Sequence, residues 1–304
     1  MAAVKGMRSV EMEVADVERA ADFYTRIWKL DEVERRGGSV FLRGTGRYHH
    51  ILALHPSAGP AAFRRMVFDG GDRAGVDALR GQVIDQGCAP TATGLIEWPG
   101  GGYGFGFKDP EGRNVAVLCD VADHKDTADV SDLPRKIAHV NVNSTDHVAC
   151  TRFYSEALGF RLVDETVQLL FMHCDNTDHN SLVISKESRN TVNHVAFEAP
   201  DLDSIMCGTG RMKDAGYPIE WGIGRHGAGN NVFAYFAGPE EFPIELTGDV
   251  MQIGLDYQYH GPEHWKWPPG RADQWGVTAP HTARWKRIQD MFGFSRDGHL
   301  IAPG

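Results

Sequence analysis

The sequence predicts an α+β chain in which one unit occurs twice, followed by an irregular C-terminal extension. Three observations predict this. Short alternating segments suited to strands are interleaved with capped helix candidates. The same motifs return after 129 or 130 residues. The last stretch, 250–304, is rich in Trp, Pro and Gly and matches neither copy.

The elements follow in order. Residues 9–14, Ser-Val-Glu-Met-Glu-Val, alternate as a strand does, and Asp16 is placed to cap the helix that follows. Val17, Ala20, Ala21 and Tyr24 fall on one face of that helix. The pattern returns at 137–142, Ile-Ala-His-Val-Asn-Val, with a second helix ending Arg-Phe-Tyr-Ser-Glu-Ala-Leu-Gly-Phe. The segment from His49-His50 is echoed from His179-Asn180, and the strand Arg65 to Asp69 by His194 to Glu198. Helix candidates at 72–85 and 201–215 each close on a glycine, Gly87 and Gly216. Asp109 to Ala116 is echoed by Gly238 to Glu245. Each half therefore holds two strand–helix–strands units, with helices on one side of mixed or antiparallel strands. The expected domains are 1–125 and 133–250, joined by a polar linker over 122–135. The extension, 251–304, carries one helix candidate at 281–292 and is expected to pack on the second half.

Composition narrows the function. Hydrophobic residues make up 42% of the 304 and charged residues 24%, an ordinary globular balance. With 31 Lys and Arg against 41 Asp and Glu, the net charge of −10 argues against a nucleic-acid partner. Five cysteines at 88, 119, 150, 174 and 207, with no Cys-x-x-Cys, read as thiols in a reducing compartment. The start has no apolar signal region, and no uncharged stretch is long enough to span a bilayer. A soluble cytoplasmic protein with no membrane partner is expected.

The duplication supplies an internal control. Motif matching sets Glu11, Arg65 and Ala116 of the first copy against His139, His194 and Glu245 of the second. A shared fold does not explain that difference. Two histidines and a carboxylate on three strands fit the facial triad that binds a divalent metal, Fe(II) above all, and leaves positions open. Glu245, between Ile244 and Leu246, is expensive to bury without a metal or a cation. The first half then carries no metal, and His49 and His50 read as structural. His179, His226 in a glycine-rich loop and Tyr235 are candidates for a reactive shell, since imidazole moves protons and phenol donates to a developing anion. The loop is not a phosphate loop, because neither Lys-Ser/Thr nor a helix follows. His173 stays open between rim packing and substrate contact. His260 and His264, near Trp265 and Trp267, read either as a cover over a pocket or as a subunit contact.

Over roughly residues 8–250 the chain resembles the type I extradiol dioxygenases of the vicinal oxygen chelate superfamily. The resemblance rests on His139 in Ile-Ala-His-Val, His179 after Asn-Thr-Asp, and His194 in Asn-His-Val-Ala-Phe-Glu. It rests also on Gly-Arg-His226 with Tyr235 nine residues on, and on Glu245 in Pro-Ile-Glu-Leu. It implies duplicated βαβββ modules forming two glyoxalase/bleomycin-resistance-like domains, the first without metal. It implies Fe(II), with Mn(II) a credible substitute, on His139, His194 and Glu245. His179 would be the acid/base, and His226 and Tyr235 would contact the hydroxyls of a catechol-like substrate attacked by dioxygen. A homo-oligomer is implied as well. The chain departs from the biphenyl-diol members at Ala228-Gly229, where they carry Asn-Asp, and in its Trp-rich tail. Both departures bear on the substrate. A divalent-metal isomerase or lyase, or a non-enzymatic small-molecule binder, are the rival readings.

Overall fold

The computed structural model describes residues 1–296 and 299–304. Among the described residues sixteen strands form two sheets of eight. The first half holds β1 (Gly6–Val14), β2 (Asp31–Arg36), β3 (Ser39–Arg43), β4 (Leu52–Pro56), β5 (Ala62–Asp69), β6 (Gly94–Leu95), β7 (Tyr103–Lys108) and β8 (Asn114–Cys119). The second holds β9 (Lys136–Ser144), β10 (Arg161–Glu165), β11 (Leu169–His173), β12 (Leu182–Lys186), β13 (Val192–Glu198), β14 (Trp221–Arg225), β15 (Val232–Ala237) and β16 (Pro243–Gly248). The order β2-β3-β4-β1-β5-β8-β7-β6 is matched strand for strand by β10-β11-β12-β9-β13-β16-β15-β14. Each sheet is two βαβββ modules whose first strands, β1 and β5 or β9 and β13, meet antiparallel at its centre. This is the α+β vicinal oxygen chelate fold.

Aspartates begin four helices, Asp16 as its placement predicts. The Asp16, Asp72, Asp146 and Asp201 side chains accept from the third residue onward in α1 (Val17–Asp22), α2 (Arg73–Asp85), α3 (His147–Leu158) and α4 (Leu202–Asp214). Gly87 and Gly216 follow α2 and α4 at φ 82° and 85°, left-handed positions that favour glycine. In the extension, Thr282 caps α5 (Ala283–Gln289), which is shorter than the predicted 281–292.

The structure corrects one equivalence. Glu11 pairs with Arg65 across β1 and β5, and the corresponding pair across β9 and β13 is Asn141 with His194. His139 lies opposite Ala196, as Ser9 lies opposite Val67, so its counterpart is Ser9 rather than Glu11. A slip of two residues keeps every side chain on its face, which is why motif matching did not separate the two registers.

One apolar core runs through both halves. Trp28 meets Phe197 edge-on at 5.4 Å, and Phe23 meets Tyr217 at 4.8 Å. The extension lies along the second half only as far as Phe292, whose carbonyl accepts from Val192 N. It then crosses to the first half, where Phe63 N donates to Gly293 O and Ser295 N to Phe63 O, and Thr91 Oγ1 donates to Ile301 O. Packing on the second half alone is thus corrected: the tail ends against the first sheet because β5 offers backbone partners there. Among the described residues no helix is long and apolar enough to cross a membrane.

Candidate metal centre

Three neighbouring strands build the site. In the sheet, β13 lies between β9 and β16, and Ala196 is opposite His139 on one side and Glu245 on the other. His194 is two residues from Ala196 and so shares its face. The methyl group of Ala196 leaves room for the flanking side chains to meet above it. His139 Nε2 and His194 Nε2 lie 3.1 Å apart, and Glu245 Oε2 is 3.3 Å from the first and 3.1 Å from the second. Ligands about 2.1 Å from one ion and at right angles lie roughly 3.0 Å apart, so these edges fit a shared metal. Glu245 is fully buried, and its Oε2 has no hydrogen-bond partner, the two ring nitrogens being its near polar neighbours. This triad could hold a metal ion. It is of the kind that holds Fe(II) or Mn(II).

The surroundings fix each ligand. His194 Nδ1 is 2.8 Å from Asn193 Oδ1, which also accepts from Gln289 Nε2, while Asn193 Nδ2 donates to Asn143 Oδ1. That network orients the Asn193 amide as acceptor, so His194 carries its proton on Nδ1 and would offer Nε2 to a bound ion. Asn231 Nδ2 approaches Glu245 Oε1 at 3.3 Å and donates to Thr247 Oγ1 at 2.7 Å. Burial by itself would raise the Glu245 carboxyl, but hydrogen bonds and charge from His139 and His194 outweigh it and hold it well below the usual carboxylate range. Replacing Asn193 by Ala is expected to weaken metal binding roughly 10–100-fold, since it frees the ring orientation but removes no ligand. Competition with a chromogenic chelator measures this, and an unchanged affinity would dismiss the orienting role.

Tyr235 and His226 stand beside the triad. The Tyr235 hydroxyl is 2.8 Å from His226 Nε2, and that nitrogen is 3.9 Å from Glu245 Oε1. Burial pushes His226 down to about 4, so its ring is neutral at neutral pH. Burial, with the Glu245 charge, pushes the Tyr235 hydroxyl well above its usual value and keeps it a donor. His226 stacks on Phe233 at 3.9 Å, and Trp221 stacks on Tyr235 at 5.1 Å. His226, Tyr235 and Trp221 line a cavity of about 420 Å³ together with His139 and His194.

His179 does not join them. It is fully buried and does not line that cavity. Its Nε2 is 2.7 Å from Asp164 Oδ2 and its Nδ1 is 2.9 Å from Asn180 Oδ1, so both ring nitrogens are taken. Tyr257 and His260, from the extension, also hold Asp164, each at 2.9 Å. The residue lining the cavity here is Asn180. Val183 and Ser185 face the cavity, but bends at His179 and Ser181 interrupt the strand before Leu182 and change which side chain points inward. The expected acid/base position is therefore occupied by an amide. His173 binds the Asp178 carbonyl, a structural contact. His49 and His50 lie in the first half, where Arg65, at the position of His194, is held by Glu11 through two hydrogen bonds (2.6 and 2.8 Å). Sequence reasoning missed Asn180, Asn193 and the tail residues Trp285 and His281, which line the cavity or orient a ligand. A side chain's orientation in an irregular segment leaves no periodic signal to find it by.

Residues 136–246 match a family described as the Glyoxalase/Bleomycin resistance protein/Dioxygenase superfamily. The Mn(II)-bound glyoxalase from Novosphingobium aromaticivorans superposes with a TM-score of 0.86 and 31% identity, over 94% of each chain. The chain belongs to this superfamily. Other members it resembles bear dioxygenase or pyrocatechase names. Metapyrocatechase 2 of Cupriavidus necator is 31% identical over 156 residues, 49% of this chain and 46% of that protein, so the match spans less than half of that relative. The manganese-dependent 2,3-dihydroxybiphenyl 1,2-dioxygenase of Geobacillus genomosp. 3 is 25% identical over 289 residues, 82% of this chain and 91% of that protein. The superfamily match over 136–246 includes all three residues of the metal triad.

Proposed function

We propose that this chain is an extradiol dioxygenase, which opens the ring of a catecholic substrate beside its diol and inserts both atoms of dioxygen. Fe(II), or Mn(II) in its place, is held by His139, His194 and Glu245 of the second half, and the first half is metal-free. The observation that carries the reading is the Tyr235–His226 pair beside a three-ligand centre, in an aromatic cavity. The bound metal supplies the chelating centre for the diol and the oxygen chemistry.

The chain's own residues do the rest. Tyr235, kept protonated, donates to the substrate oxygen that bears negative charge. His226 Nε2, unprotonated at neutral pH, takes a proton from a substrate hydroxyl and returns it at a later step. Asn180 donates a hydrogen bond at the cavity wall but transfers no proton, so His226 is the proton carrier of the site. His226→Gln is expected to retain the metal and lose turnover by about 10²–10⁴-fold. Turnover within a few-fold of the unaltered chain would remove that role.

The enzyme is further taken to be cytoplasmic and homo-oligomeric, from its composition and its likeness to extradiol enzymes. Stoichiometric oxygen uptake with a yellow ring-opened product, across a panel of catechols and hydroquinones, tests the reaction class. A Lewis-acid isomerase or lyase is the second reading, favoured by the glyoxalase name of the relative that aligns along 94% of the chain. Full metal content with no oxygen uptake on any diol would select it.

A further inference from the structure

His226 carries the proton in the proposed reaction, but the segment that bears it has little stiffness of its own. Arg225 ends β14, and the chain runs through His226-Gly-Ala-Gly-Asn-Asn231 to Val232, where β15 begins. Gly227 and Gly229 lose more backbone freedom on ordering than any other residue type would. Inside the loop, His226 N donates to Asn231 O at 2.9 Å and Asn230 N to Gly227 O at 3.1 Å. Further restraint comes from a distant part of the chain.

That part is Asp273-Gln274 of the extension. The Gln274 Nε2 donates to the main-chain carbonyl of His226 itself and to Asn230 Oδ1 at 3.1 Å, with Gly227 O at 3.5 Å. A backbone carbonyl only accepts, so the atom facing it is the amide nitrogen, whose two hydrogens match His226 O and Asn230 Oδ1. The Gln274 main-chain N donates to Arg225 O at 2.8 Å. Asp273 is 1% exposed, and its Oδ2 accepts from Arg225 N at 3.3 Å. Trp275 N and Thr278 N also donate to that carboxylate, each at 3.1 Å. The extension thus grips the residue before His226, His226 itself and the far side of its loop. Gln274 does not line the cavity, so its route to the reacting groups is through His226.

We propose that Gln274 is the positioning residue of His226: its amide nitrogen holds the His226 carbonyl and so sets the imidazole against the Tyr235 hydroxyl. The proposal rests on the reading of His226 as the proton carrier. It gives Gln274 a task different from that of the tryptophans of the extension, which shape the cavity wall.

Two substitutions separate hydrogen bonding from bulk. Gln274→Met keeps the length of the side chain and removes both donors, and Gln274→Glu keeps the shape but sets a carboxylate against acceptors. In the Mn(II)-loaded enzyme with 4-methylcatechol, Gln274→Met is expected to lower kcat ~10-fold and leave KM within ~2-fold, short of the ~10²-fold that a full misplacement costs. Gln274→Glu should lower kcat further. Added to His226→Gln, Gln274→Met should cost less than ~2-fold, because residues that act as a unit are not additive. Amide exchange over 225–231, followed with and without Mn(II), should be at least ~5-fold faster in Gln274→Met, with β9 and β13 unchanged. Unaltered exchange in the loop overturns the proposal, as does an unaltered kcat or a loss that persists in full on top of His226→Gln. If the unaltered chain turns over no diol, the extradiol reading falls, and loop exchange alone decides whether Gln274 holds His226. Should Gln274→Met fail to fold, Gln274→Glu carries the same measurements.

Discussion

Replacing Glu245 with alanine is expected to empty the metal centre while the chain stays folded. The carboxylate is the only anionic ligand of the triad, and without it two imidazole nitrogens face each other 3.1 Å apart. The loss in metal affinity should exceed the roughly 10–100-fold that removal of an outer partner costs. Folding survives because the variant removes a buried charge whose compensation is the metal itself. Elemental analysis after dialysis against a weak chelator, with circular dichroism alongside, reads both quantities. One equivalent of metal retained per chain would overturn the ligand assignment.

The opposite pattern is expected of Glu11→Ala: full metal content and a large loss of stability. Glu11 is 0% exposed and is held by Arg65 through two hydrogen bonds, with His55 Nε2 at 3.1 Å. Removing it strands a guanidinium that is 2% exposed, and breaking a buried pair from one side costs about 3–5 kcal/mol. A lower denaturation midpoint at an unchanged slope measures that cost. The same pair fixes a pH dependence. Burial alone would raise the Glu11 carboxyl, but Arg65 and His55 outweigh it and hold it well below the usual range. A carboxyl depressed in the folded state stabilises above its unfolded pKa, about 4.3, and the stabilisation is lost as pH falls toward the depressed value. Glu11→Gln should therefore flatten the acid limb of the stability curve. An unchanged limb would show that other carboxylates set it.

The contrast between these two sites explains what the sequence made legible. Imidazoles and a carboxylate in apolar strands are expensive, so His139, His194 and Glu245 stood out against neighbours such as Val140, Val195 and Ile244. The Asp16 cap and the closing glycines were legible because their roles depend on a few adjacent residues. The β1–β9 register was not, because alternation repeats every two residues and Ser9 and Glu11 face the same way. His179 failed for a related reason. A count by twos carried back from Val183 reaches it, but the bends at His179 and Ser181 put Asn180 at the cavity instead. The course of the tail was hidden because its partners, Phe63 and Thr91, lie two hundred residues or more away in the chain.

That tail separates two kinds of inheritance. The metal ligands sit on central strands whose register ties both edges of the sheet, so a change there disturbs many pairings. Trp265, Trp267, His281 and Trp285, which shape the cavity, come from a segment with little register to keep. Descendants of this chain can exchange one ring substituent for another by drift in the tail, while the oxygen chemistry is passed on unaltered.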